Sequence, residues 1–158
     1  MANVVIRTLY CIREATGTDM GVNIAIANLP GTLPAATGLG SIDAAVKAVP
    51  GLIAAIDGAR GDPDDLYLTT STERGLGNKV WPTDRETMPV GTGQSTAPNL
   101  ALSFDGSLNV SLWDYDSGSR DDLLGSITVE ESELGNELLK KAASDVEGSI
   151  YYVHCRVY

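Results

Sequence analysis

The chain has 158 residues, which suits one domain, and 43% of them are hydrophobic, which supports a sizeable core and excludes disorder. Twenty-one acidic residues against eleven basic ones give a formal net charge of −10. That balance excludes a nucleic-acid surface built on clustered Lys and Arg, and disfavours a bare anionic membrane unless bound cations reverse the local field.

Residues 3–13 are β-prone and predict an opening strand. A polar turn over Glu14–Asp19 leads to a short second strand at Val22–Ala27, and the Pro-, Gly- and Thr-rich segment 28–40 reads as loop. Ser41 is placed to cap a helix running toward Pro50, which ends or kinks it, and residues 51–59 add a further helical turn or two. From residue 65 the period becomes two: Leu66, Leu68 and Thr70 alternate with Tyr67, Thr69 and Ser71. Short strands follow near 79–82 and 85–90. Leu100–Phe104 and Leu108–Trp113 flank the turn Asp105-Gly106, and a further strand passes through Ile127 and Val129. Glu131–Ala143 reads as a polar helix and Ser149–Val157 as a closing strand. About seven or eight strands with two helical interludes predict an all-β, two-sheet antiparallel sandwich.

Between two of these strands lies Asp114-Tyr-Asp116-Ser-Gly-Ser119-Arg-Asp121-Asp122-Leu-Leu-Gly125, with four aspartates in nine positions. Carboxylates about 4 Å apart repel by roughly 1 kcal/mol in water and about 4 kcal/mol near a protein surface. A hard divalent cation with oxygen ligands, calcium above all, relieves that repulsion. An acidic, solvated hairpin that binds nothing is the plainer alternative, since Asp and Gly favour turns for backbone reasons alone. An EF-hand is excluded, because Ser119 and Gly125 stand where that loop needs Gly and Glu.

The run Asp-x-Asp-x-x-Ser-x-x-Asp followed by an apolar pair and Gly resembles the third calcium-binding loop of C2 domains, met here at Asp114, Asp116, Ser119, Asp122 and Gly125. The resemblance implies that Asp114 and Asp116 bridge one or two calcium ions. It further implies that Asp122 completes a second site, that Ser119 is an optional ligand, and that Gly125 lets the chain turn into the next strand. The segment Asp62-Pro63-Asp64-Asp65-Leu66-Tyr67 resembles the last part of the family's first loop, with Asp65 the better match and Asp64 the alternative. The family's earlier aspartate has no counterpart at its usual spacing; if residues 20–61 are an insertion in loop one, Asp19 is the displaced ligand. The resemblance is specific over 62–130, weak over 1–19 and absent over 20–61, so the expected organisation is one C2-like domain, 1–158, carrying that insertion.

The family's calcium usually bridges loops to anionic lipid. Here the loop tip Ser117-Gly118-Ser119-Arg120 is polar and no lysine-rich strand is evident. The expectation is therefore a non-enzymatic calcium-binding module for membrane or protein association. A calcium-dependent carbohydrate-binding sandwich is the alternative, and an effector or toxin using 20–61 a third. The apolar positions Ala44, Ala45, Val46, Val49, Leu52, Ile53 and Ile56 either pack on the sandwich or face a partner. His154 lies alone in the last strand, and no nucleophile or phosphate-loop motif appears, so no catalytic residue is assigned. The N-terminal residues lack a signal-peptide pattern and no run is long enough to cross a membrane, which points to a cytoplasmic protein or one exported without a signal. Cys11 and Cys155 read as reduced, half-buried thiols, with a staple between the first and last strands as the alternative.

Overall fold

A computed structural model describes residues 1–17, 20–35, 39–57 and 61–158, with the side chains of residues 20–22, 39 and 55 not described. Strand β1 (Ala2–Arg13) alternates its side chains, but not with one parity. Val4 and Ile6 face the core, then Leu9 and Cys11 do. The switch follows from a bulge: Ile6 pairs with Cys155 and Thr8 with His154, so Arg7 is the extra residue that moves the inward set from even to odd numbers.

The first sheet runs β2 (Thr32–Pro34), β10 (Glu137–Ala143), β11 (Ile150–Val157), β1, β6 (Ser95–Thr96), and β7 (Leu100–Phe104) also pairs with β1. The second runs β4 (Lys79–Trp81), β3 (Asp64–Thr69), β8 (Ser107–Asp114), β9 (Asp122–Glu130), with β5 (Met88–Val90) also on β3. Every pairing is antiparallel. The sheets close on a core that includes Val4, Ile6, Leu66, Leu68, Leu112 and Val153. This is the all-β sandwich the alternation predicts.

A second apolar layer covers the outer face of the first sheet. Helices α1 (Met20–Asn28), α2 (Leu39–Ala48) and α3 (Leu52–Asp57) bury Ile26, Ile42, Val46 and Leu52 against Ile12, Leu139, Ile150 and Tyr152. Covered on both sides, the first half of β11 is apolar on both faces, and Ile150 to Val153 are each fully buried. Lys141 fixes the layer by donating to the carbonyls of Ile26 and Leu29, at 2.7 and 2.9 Å, near the end of α1. Helix ends leave such carbonyls without intrahelical partners. Of the apolar helical positions, Ala45, Val46, Val49 and Leu52 are buried in this layer, while Ala44 and Ile53 are exposed.

Four local expectations change. Residues 22–27 lie in α1 and not in a strand; Ala25, Ile26 and Leu29 share a buried helical face while Ile24 is exposed. Segment 131–143 is not a helix: a 3-10 turn at Glu131–Glu133 is followed by Gly135 at φ +84° and then by β10. The seven-residue ladder of β10 on β11 outweighs the helix propensity of Leu138, Leu139, Lys140 and Lys141. Segment 28–40 contains β2, and Ser41 is the third residue of α2 and not its cap. The cysteines are both buried and free. Cys11 lies opposite Tyr151 and Cys155 opposite Ile6, so about four residues, roughly 13 Å at about 3.3 Å each, separate them along the ladder. A disulfide needs Cα atoms within about 7 Å, and the staple is excluded.

Candidate metal site

The pairing of β3, β8 and β9 brings three strand ends together. Leu66 pairs with Asp114, and Asp114 pairs with Asp122. The contact continues past the strands: the Asp65 amide donates to Asp114 Oδ1 at 2.6 Å, and the Tyr115 amide donates to the Asp65 carbonyl at 2.9 Å. Asp65, Asp114 and Asp122 thus stand on neighbouring strand ends. The register holds because β9 carries one extra residue: Leu112 lies opposite Gly125 and Trp113 opposite Leu123.

Gly125 itself is not at the turn. It sits inside β9 at φ +145°, and a Cβ there would lie 2.3 Å from Ala143 N and 2.5 Å from the Ala142 carbonyl carbon. Its role is to let β9 approach the backbone of β10, where the two sheets meet.

Asp114 is half-buried, and its carboxyl is pushed up to about 6 by desolvation first, then by the charges of Asp65, Asp122 and Asp116. Among the described residues no ion pair joins these carboxylates to a cationic side chain. Asp116 is exposed and folds back on its own loop, accepting from the Gly118 amide at 2.8 Å and the Ser119 hydroxyl at 2.6 Å. Those bonds hold its carboxyl below the usual range. Each carboxylate oxygen keeps further acceptor capacity beyond these bonds, and so does the Ser119 hydroxyl.

Asp64 and Asp65 differ in kind. Asp65 is exposed, whereas Asp64 is buried, accepting from the Tyr151 hydroxyl at 2.5 Å and the Ala15 amide at 3.1 Å. Burial pushes the Asp64 carboxyl up to about 7, with Asp114 and Glu14 adding charge repulsion against the relief its hydrogen bonds give. Asp19 lies outside the described residues.

Two acidic residues at this apex were not singled out in the sequence. Glu14 is buried and accepts from the amides of Gly61 and Thr92, tying the end of β1 to two other loops. Glu147, in the β10–β11 connection, has its carboxyl raised by burial and by the charge of Asp122. Its apical place follows from β10 being a strand, which the helical reading of 131–143 had hidden.

The donor set is oxygen only, anionic and placed on adjacent strand ends, which suits a hard cation such as calcium. Among the described residues, however, no group of three or more His, Cys, Asp or Glu is already drawn together closely enough to hold an ion. The site is one of matching chemistry and placement, not a preformed cage. Trp81 and Trp113 are buried and offer no stacking face to solvent. His154 bonds Glu137 Oε1 at 2.9 Å on the far part of the first sheet. No described helix is long and apolar enough to cross a membrane.

No family model and no curated protein matches this chain. Among solved structures it is similar to human GIVD cytosolic phospholipase A2 in complex with methyl gamma-linolenyl fluorophosphonate. The identity is 15% and the TM-score 0.39, over 99% of this chain and 16% of that one. The same phospholipase with that inhibitor and terbium chloride gives 14% identity and a TM-score of 0.35, over 99% and 17%. The C2A domain of plant extended synaptotagmin 1 gives 8% identity and a TM-score of 0.37, over 99% and 92%. The chain spans less than a fifth of the phospholipase it matches. At these values the likeness assigns neither family nor activity.

Proposed function

We propose that this chain is a non-catalytic, C2-like calcium-binding module. Asp65, Asp114 and Asp122 supply the principal ligands, with Asp116 and Ser119 from the loop. The carrying observation is Asp114: a half-buried carboxylate, repelled by Asp65 and Asp122 at the ends of adjacent strands and by Asp116 in the loop, with no cationic side chain paired to the group among the described residues. Bound calcium would neutralise the apex and leave coordination positions for anionic oxygens of a partner. Asp114, already hydrogen-bonded through Oδ1 to the Asp65 amide, orients its other oxygen for the ion. The partner is an acidic surface, membrane or protein, that a chain of net charge −10 repels without calcium.

Calorimetric titration with calcium, with magnesium as control, tests the ion. Co-sedimentation with phosphatidylserine vesicles, with and without calcium, tests the partner. Absence of heat up to several millimolar calcium removes the proposal; calcium binding without sedimentation turns it toward a protein partner.

A further inference from the structure

Four aspartates occupy the acidic loop, and the proposed ion accounts for three of them. Asp121 points elsewhere. On the outer face of the second sheet Tyr67 is fully buried and stacks on Trp113, with ring centroids 6.4 Å apart and planes 15° apart. Trp113 is itself fixed, its Nε1 donating to Thr69 Oγ1 at 2.9 Å. The Tyr67 hydroxyl donates to Asp121 Oδ2 at 2.5 Å and accepts from the Gly75 amide at 2.8 Å. Asp121 Oδ1 accepts from the Asp116 amide at 3.1 Å. One carboxylate therefore joins a rigid aromatic pair to the backbone of a proposed ligand, and one hydroxyl joins both to the β3–β4 connection.

We propose that the Tyr67–Asp121 pair is the tether that holds the acidic loop in its cation-binding conformation, with Asp121 a positioning residue and not a ligand. The part concerning calcium rests on the function proposed above; the tether itself does not. An untethered loop would have to be ordered by the ion at each binding event, and a loop held in place beforehand binds more tightly.

The test uses Tyr67→Phe, Asp121→Asn and the double variant. Phe retains the stack on Trp113, and near-ultraviolet circular dichroism checks that it does. Calcium affinity is measured by calorimetry. Trypsin cleavage after the exposed Arg120 is timed in chelator, which reads loop order without any metal.

Each single variant should weaken calcium binding by about tenfold, the range seen for groups that orient a ligand. The double should be no weaker than the poorer single by more than about twofold, because both remove one linkage. Both singles should speed cleavage after Arg120. If Tyr67→Phe leaves affinity unchanged while Asp121→Asn lowers it, Asp121 is a ligand and the proposal is overturned. If cleavage rates are unchanged, the tether is overturned whatever calcium does. If the wild type binds no calcium but Tyr67→Phe is cleaved faster, the calcium function fails and the tether stands.

Discussion

Two groups of acidic residues share one end of this sandwich and behave in opposite ways. Beneath the surface, Asp64 and Glu14 are buried, and each carboxylate accepts hydrogen bonds from specific donors: Tyr151 and Ala15 for one, Gly61 and Thr92 for the other. At the rim, Asp114 is repelled by Asp65, Asp122 and Asp116, and no ion pair joins these carboxylates to a cationic side chain among the described residues. The lower group is part of how the fold closes; the upper group costs stability until something neutralises it. Residue type does not separate them, since Asp64 and Asp65 are neighbours in the chain. Burial and partners do.

The contrast can be broken most severely from below. Gly125→Ala forces a Cβ into the backbone of Ala142 and Ala143 at a positive φ. The loss should be roughly 4 kcal/mol or more, read by denaturant unfolding or as failure to fold, and it removes wall and rim together. Calcium at a hundred times its dissociation constant should add about 2.7 kcal/mol. That gain should vanish in Asp114→Asn with Asp116→Asn and survive in Asp64→Asn, a separation that differential scanning calorimetry resolves.

Asp64→Ala leaves the Tyr151 hydroxyl and the Ala15 amide without their acceptor, and should cost about 1–3 kcal/mol with or without calcium. The pH profile sharpens the same contrast. Asp64 is raised from 3.8 to about 7, so the folded state holds a proton that the unfolded state has released. Metal-free stability should therefore fall as pH rises from about 4 to about 7 and then level off, and Asp64→Asn should flatten the slope. Last and smallest, Asp114→Asn in chelator should raise stability by a few tenths of a kcal/mol. It removes one repelling charge at a half-exposed position and keeps the acceptor for the Asp65 amide.

The sandwich was legible because period-two alternation survives in Leu66–Thr69 and Leu108–Trp113. The acidic loop was legible because its residues are contiguous. What escaped depended on distant pairing. Leu138–Lys141 has helical composition, and only its ladder with β11 makes it a strand. The Arg7 bulge reverses the parity of β1 without any Gly or Pro to announce it. The loop pattern ranked Asp65 above Asp64, but the reason Asp64 is withdrawn was hidden, because the donor that claims it is Tyr151, 87 positions away. Gly125 was noticed for its place after the loop, whereas its necessity comes from β10, a partner no local pattern names.

The contact that demands Gly125 also bears on how the molecule meets copies of itself. Nine-residue β9 ends its own sheet, yet its flank lies against β10 of the other sheet. The remaining described margins are β2, β4 and β5 of three residues, β6 of two and β7 of five, with proline in β2 and β5. Brief, proline-marked margins give a foreign strand little to zip onto. The sandwich is thus guarded against fibril-like growth by the same close approach that shuts its core.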